Sequence, residues 1–213
     1  FWDSLRGHYV AYSRLCRYLP PGRFLGRLRD ITTCTSEDFI HWTEPRYIEY
    51  NDKHEYDMYT NGIRPYYRAP HIYLGLPARF VGCRRKLASH PNPSISDAIL
   101  MSSRDGVKFD RWREGFIRPG PEPEMWTDRN QYPAWGLLET GPGEISIYWG
   151  EHNKHPVKRL RRGTLRTDGF VSLHAGADPG ELVTRPLLFS GSRLEINYAT
   201  SAIGALMFEL CDE

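Results

Sequence analysis

Lysine is scarce in this chain of 213 residues: it stands at only five positions (Lys53, Lys86, Lys108, Lys154 and Lys158), although Lys and Arg together number 28. Nearly all the positive charge is therefore arginine, whose planar fork suits carboxylates and aromatic faces. A base-composition bias in the source would leave the same excess. With 26 acidic residues the formal net charge is only +2. That argues against a nucleic-acid or membrane partner, either of which calls for a dominant basic field. Cysteine is sparse as well. The four (Cys16, Cys34, Cys83, Cys211) are widely spaced without a C-x-x-C pair, so no metal site is expected, and disulfides are permitted but not required. No apolar run reaches the roughly 18–20 residues that a membrane-spanning helix needs. No segment of about ten residues keeps a helical period free of Gly and Pro. No motif calls for a cofactor.

What is abundant points to β-structure. Aromatics make up 13% of the chain, with 13 Tyr and 6 Trp, a bias that favours strands and supplies flat faces on which sugars stack. One phrase occurs twice. Thr35-Ser36-Glu37-Asp38-Phe39-Ile40-His41-Trp42 is echoed by Ser102-Ser103-Arg104-Asp105-Gly106-Val107-Lys108-Phe109. In each, Asp follows Ser by two places and an aromatic follows it by six. An Asp just past a strand bonds the backbone N–H groups of its own turn, and the aromatic then buries against the sheet. The phrase predicts one hairpin corner used twice, with Asp38, Asp105 and also Asp3 as turn acids.

Along the chain, residues 1–14 read as strand, tight turn, strand, and Arg17 to Gly26 as a basic loop around Pro20-Pro21-Gly22. Leu28 to Ser36 is a strand, and Tyr47 to Tyr50 returns from the first corner. His71 to Leu76 is a strand, Cys83 to Asp97 a loop with Pro91 and Pro93, and Ala98 to Met101 a short apolar strand into the second corner. Trp135–Glu139 and Glu144–Trp149 form a hairpin, Lys158 to Arg162 a solvated strand or rim, and Asp168-Gly169 a turn. From about Thr167 the texture changes. Leu194–Tyr198 and Leu206–Leu210 alternate cleanly, as strands with one wet face do.

The corners lie 67 residues apart, from Ser36 to Ser103. That interval holds about four strands with long loops, which is one propeller blade. A complete ring of such units exceeds this length, so the expectation is an all-β chain: an incomplete five-bladed β-propeller of two to three blades over residues 1–166, then the start of a β-sandwich over 167–213. Residue 1 is not Met, and Phe1-Trp2-Asp3 reads as a strand already under way, so the chain is expected to be a piece of a longer protein. A sandwich throughout is the competing architecture.

Phe1-Trp2-Asp3…Gly7-x-Tyr9-Val10-Ala11-Tyr12 and Ser36-x-Asp38-Phe39-x-x-Trp42-Thr43-x-Pro45 resemble blade strands of the five-bladed propeller glycoside hydrolases, families 32, 43 and 68. Ser103-Arg104-Asp105-Gly106 is also similar to the Asp-box of sialidases, without its downstream Gly. The resemblance covers roughly residues 1–150, and its motifs are structural. It implies cleavage of glycosidic bonds, a carbohydrate partner, a sandwich after the propeller, and an extracellular or periplasmic setting. The family 32 nucleophile motif Trp-Met-Asn-Asp-Pro-Asn-Gly and the Glu-Cys acid motif are absent. Its Arg-Asp-Pro motif has only an echo at Arg29-Asp30-Ile31. The nucleophile or base is thus expected upstream of Phe1.

Cleavage needs two carboxyls, one protonated and one ionised. Glu151 shares a strand face with Ile145, Ile147 and Trp149; partial desolvation there raises its pKa and suits it to act as general acid, with His152 beside it. Otherwise it is a solvated Glu at a strand end. Trp126-Thr127-Asp128-Arg129-Asn130 offers Asp128 as a second carboxylate with Trp126 and Asn130 as substrate contacts, or is an ordinary capped turn. Tyr66, Tyr67, Arg68 and His71 form the densest binding-like cluster. Otherwise the tyrosines pack between blades and Arg68 pairs with an acid such as Asp57. A non-catalytic propeller that binds glycans or proteins fits these residues equally.

Overall fold

The computed structural model describes residues 1–18, 26–87, 89–91 and 94–211; the predicted loop at Pro20-Pro21-Gly22, and Pro93, lie outside them. The chain is all-β, with a single 3-10 turn at Pro123–Met125 and no α-helix among the described residues. Three sheets form in succession. The first holds β1 (Trp2–Asp3), β2 (His8–Tyr18), β3 (Arg27–Ser36) and β4 (Arg46–Tyr47) in that spatial order. The second is built from β5 (Glu49–Tyr50), β6 (Asp57–Met58), β7 (Arg64–Tyr66), β8 (Ala69–Gly75), β9 (Ala78–Arg85), β10 (Ser94–Ser103) and β11 (Lys108–Ile117). Its order is β5-β11-β10-β8-β7, with β9 also on β10 and β6 on β9. The third has β12 (Tyr132–Pro133), β13 (Leu138–Gly141), β14 (Glu144–Glu151) and β15 (Arg159–Arg166), with β14 central. All pairings are antiparallel except β5 with β11. Ile48 is the pivot between the first two sheets: its N–H donates to Ile31 O, while the next N–H, of Glu49, donates to Val107 O.

The duplicated phrase folds as the same corner twice. Asp38 Oδ1 accepts from the N–H groups of Ile40 and His41 at 2.8 and 2.7 Å. Asp105 Oδ1 accepts from those of Val107 and Lys108 at 2.8 and 2.7 Å. Ser36 Oγ and Ser103 Oγ each accept an N–H three residues on, at 2.9 Å, and each donates to the Asp. The third residue after each serine turns left-handed: Gly106 at φ 77° and Phe39 at φ 67°. Glycine adopts that conformation without steric cost, and a Phe does not. Asp3 is a turn acid too, accepting from the N–H groups of Leu5 and Arg6, and it also takes the Tyr73 hydroxyl and the Arg6 guanidinium.

Packing explains the order of the sheets. Successive residues of β10 point to opposite faces. Ile99 and Met101 join Ile31, Ile48, Met58, Ile63, Tyr73 and Phe109 in the core against the first sheet. Ala98 and Leu100 join Leu76, Ile117 and Ile147 in the core against the third. With both faces covered, the middle strand reads as a continuous apolar run and not as an alternation. Each fully buried Ile or Met there contributes about 1.5–3 kcal/mol. This blade-on-blade succession is a partial β-propeller.

Two readings of the chain need correction. The stretch Cys83–Asp97 is not all loop: β9 runs on through Arg85 and β10 begins at Ser94. The strand was hidden by its charges, because Arg79 of β9 is buried and lies across from Asp97 of β10 in a bidentate pair at 2.8 and 2.6 Å. Nor do Leu194–Tyr198 and Leu206–Leu210 form strands; the described residues from 167 onward carry none, and nearly all are exposed. Alternation alone does not make a sheet, since a lone two-stranded hairpin is marginal in water.

Candidate functional site

The end of β14 holds the predicted acid. Glu151 is 1% exposed, on the same face as Ile145 and Ile147. Its carboxylate accepts from Trp149 Nε1 at 2.9 Å, Arg159 Nε at 2.8 Å and Arg161 Nη2 at 3.0 Å. Burial pushes its pKa up, but the hydrogen bonds from Arg161, Arg159 and Trp149 outweigh it and hold the carboxyl below its ordinary value. This corrects the expectation of a raised pKa: Glu151 is an ionised, doubly bridged carboxylate and has no proton to give at neutral pH.

Arg159 also reaches Glu122 at 2.6 Å, and Glu122 lies 2.8 Å from His152 Nε2. That contact has ion-pair distance without hydrogen-bond alignment, so the buried His152 ring is without a hydrogen bond. Asn130, fully buried, is a clamp. It donates to Glu124 O and Thr127 Oγ1 and accepts from the Asn153 N–H at 2.8 Å. Trp126 donates to Gly120 O at 2.7 Å and lies under Lys86 Nζ at 4.0 Å. Asp128 faces Lys154 at 3.4 Å and Arg129 at 3.5 Å, and it shares no partner with Glu151. The structure thus gathers Glu151 and His152 into one polar cluster, whereas Asp128 is held apart by other partners.

The tyrosine cluster divides. Tyr66 and Tyr67 line a cleft of about 270 Å³ between the second and third sheets, with Arg64, Glu139, Leu137 and Phe170. The Tyr66 hydroxyl donates to Asp168 at 2.5 Å, and Arg68 pairs with the same carboxylate at 3.1 Å. Burial, and then the bond to Asp168, push the Tyr66 phenol up. The turn acid Asp168 is therefore the partner of Arg68. Asp57, the acid expected to fill that role, is taken by Arg29. His71 is exposed on β8, away from the lining of the cleft.

A second cleft, of about 370 Å³, was not foreseen from the sequence. It is lined by Arg14, Cys16, Arg27, Arg29, Asp57 and Tyr59, from β2, β3 and the end of β6. Asp57 Oδ1 accepts from both the backbone N–H and Nε of Arg29 at 2.9 Å. The Tyr59 ring lies under the guanidinium of Arg14 at 4.5 Å and that of Arg29 at 5.3 Å, and its centroid is 5.4 Å from that of Tyr132 on β12. All three sheets therefore contribute at this one place. A hydrogen bond from Arg14 leads in pulling the Tyr59 phenol below its ordinary pKa, and the charges of Arg14, Arg129 and Arg29 add to it against burial. Tyr132, chiefly through burial, is pushed up to about 12. No spacing rule joins residues 14, 29, 59 and 132; the arginine excess was the only sequence signal. Guanidinium N–H donors held on aromatic rings can hold a polyhydroxylated ring by its edge.

No family model matches the chain, and no curated protein matches it in sequence. Among solved structures, a complex of BT0996 with RGII is similar at TM-score 0.52 and 12% identity, over 82% of this chain and 46% of that one. The Bombyx mori GH32 beta-fructofuranosidase BmSUC1 is similar at TM-score 0.50 and 14% identity, over 76% of this chain and 31% of that one. At such identities the likeness shows a shared fold, and the chain spans less than half the length of either structure.

Proposed function

We propose that this chain is part of a carbohydrate-active protein, a glycoside hydrolase of the five-bladed propeller kind. On this reading residues 1–166 supply blades. The observation that carries it is the arginine–tyrosine cleft, where side chains from three successive sheets converge on Tyr59 within a fold that a GH32 beta-fructofuranosidase shares. Tyr59 holds the Arg14 guanidinium on its ring, Arg14 and Arg27 donate to the sugar's substituents, and Asp57 fixes Arg29. Tyr66 and Tyr67 form a second, more apolar contact zone. The reacting carboxylate pair is assigned in part to sequence preceding Phe1.

A second reading, a glycan-binding propeller without turnover, is favoured by one observation: Glu151 is locked by two guanidiniums and held ionised. One experiment separates them. The protein is titrated calorimetrically with neutral and acidic oligosaccharides, and the same mixtures are assayed for new reducing ends. Binding that Tyr59→Ala weakens about tenfold, through loss of the ring that holds the Arg14 guanidinium, is expected. Turnover selects the enzyme and binding alone the binder. No binding by a correctly folded protein refutes both.

A further inference from the structure

We propose that the cleft around Tyr59 receives the carboxylate of an acidic sugar, a uronate residue, with Arg14 and Arg27 as its anion ligands. This rests on the carbohydrate reading above and narrows it to a substrate class. The lining holds three guanidiniums against a single carboxylate. That carboxylate, Asp57, is already bonded twice by Arg29. Among the described residues no carboxylate lies against Arg14 or Arg27, and both side chains are exposed. Counted over the described residues, the cleft lining therefore holds more positive than negative charge, although the whole chain has a formal charge of only +2. The field is local: the charges of Arg14, Arg129 and Arg29 all act on the Tyr59 phenol.

The geometry suits a charged ring more than a bare anion. The Arg14 guanidinium covers the Tyr59 face at 4.5 Å and hydrogen-bonds the phenol, and its remaining N–H groups can meet a carboxylate. The volume of about 370 Å³ falls within the range of small-molecule sites, roughly 300–1,000 Å³. A single-stranded nucleic acid also offers rings and anions, but it requires a basic groove that tracks several nucleotides, whereas these guanidiniums line one cleft.

The test is calorimetric titration of the full chain with matched probes: an oligogalacturonate and a glucuronate-bearing xylo-oligosaccharide, each against its methyl ester. A charge-assisted bond to carboxylate supplies roughly a ten- to hundredfold preference. The acid forms are expected to bind tighter than the esters by that factor, with a preference that shrinks as salt is raised. Arg14→Gln and Arg27→Gln should each shrink the preference, because each lowers affinity for the acid form more than affinity for the ester. Their exposure makes unfolding an unsuitable explanation, and circular dichroism checks it. Equal binding of acid and ester overturns this proposal but leaves the carbohydrate reading standing. Binding of neither, or of a single-stranded oligonucleotide in preference to both, overturns the two together.

Discussion

Replacing Glu151 by Gln tests whether this residue is a clamp or a proton donor. The side chain is 2% exposed, while its partners Arg159 and Arg161 are 38% and 44% exposed. Breaking a fully buried pair costs about 3–5 kcal/mol, and an exposed pair is worth about 0.2–1 kcal/mol. With one partner buried and the other wet, and with Arg159 keeping Glu122, the expected loss is about 1–3 kcal/mol. In a domain of this size that lowers Tm by roughly 2–10 °C. The pH dependence carries the sign. Because the folded pKa lies below the ordinary glutamate value, the stabilisation is fully present above about pH 4.3 and is lost as pH falls through the lowered value. Urea unfolding of wild type and Glu151→Gln at a series of pH values should give a difference that is flat from neutral down to about pH 5 and shrinks below about pH 4. A variant as stable as wild type at neutral pH, or a gap that widens towards acid, would refute the reasoning and return Glu151 to candidacy as an acid.

Two further substitutions probe the frame. Gly106→Ala places a Cβ 2.9 Å from the Tyr12 hydroxyl and 3.1 Å from the Tyr73 ring at φ +77°. Left-handed strain and overpacking together predict a loss of about 2–4 kcal/mol by urea unfolding, and a neutral result would mean that the second corner is not as rigid as its bonds suggest. Arg79→Met leaves Asp97 buried with only Arg84 at 3.0 Å. A loss of about 3 kcal/mol is expected, and a double-mutant cycle with Asp97→Asn should recover much of it; simple additivity would show that the pair does not couple β9 to β10.

The corner was legible because it is local. Ser, Asp and an aromatic within seven residues contain every donor and acceptor the turn uses, so Asp38 and Asp105 could be assigned from spacing alone. The all-β class was legible for a similar reason: strand alternation and Gly/Pro punctuation act over a few residues. The buried charges were not. Asp97 reads as the end of a loop, since a sequence shows the cost of burying a charge but not the partner, Arg79, across the ladder that offsets it. Glu151 was placed on the correct face, yet its protonation was misjudged, because Arg159 and Arg161 reach it only when β15 pairs with β14. Likewise Arg68 met Asp168, a hundred residues away, and not Asp57.

The amino-acid sequence by itself determined the all-β class, the repeated bend and the arginine-for-lysine bias, each of which follows from composition or from neighbours in the chain. Only the tertiary structure decided which charges meet, which strand faces are covered twice, and where Arg14, Arg27, Arg29 and Tyr59 form a cleft. The physical reason is range: turn chemistry and pleat act over a few bonds, whereas electrostatic environment is set by whatever side chains the sheets bring within a few ångströms, whatever their distance in sequence.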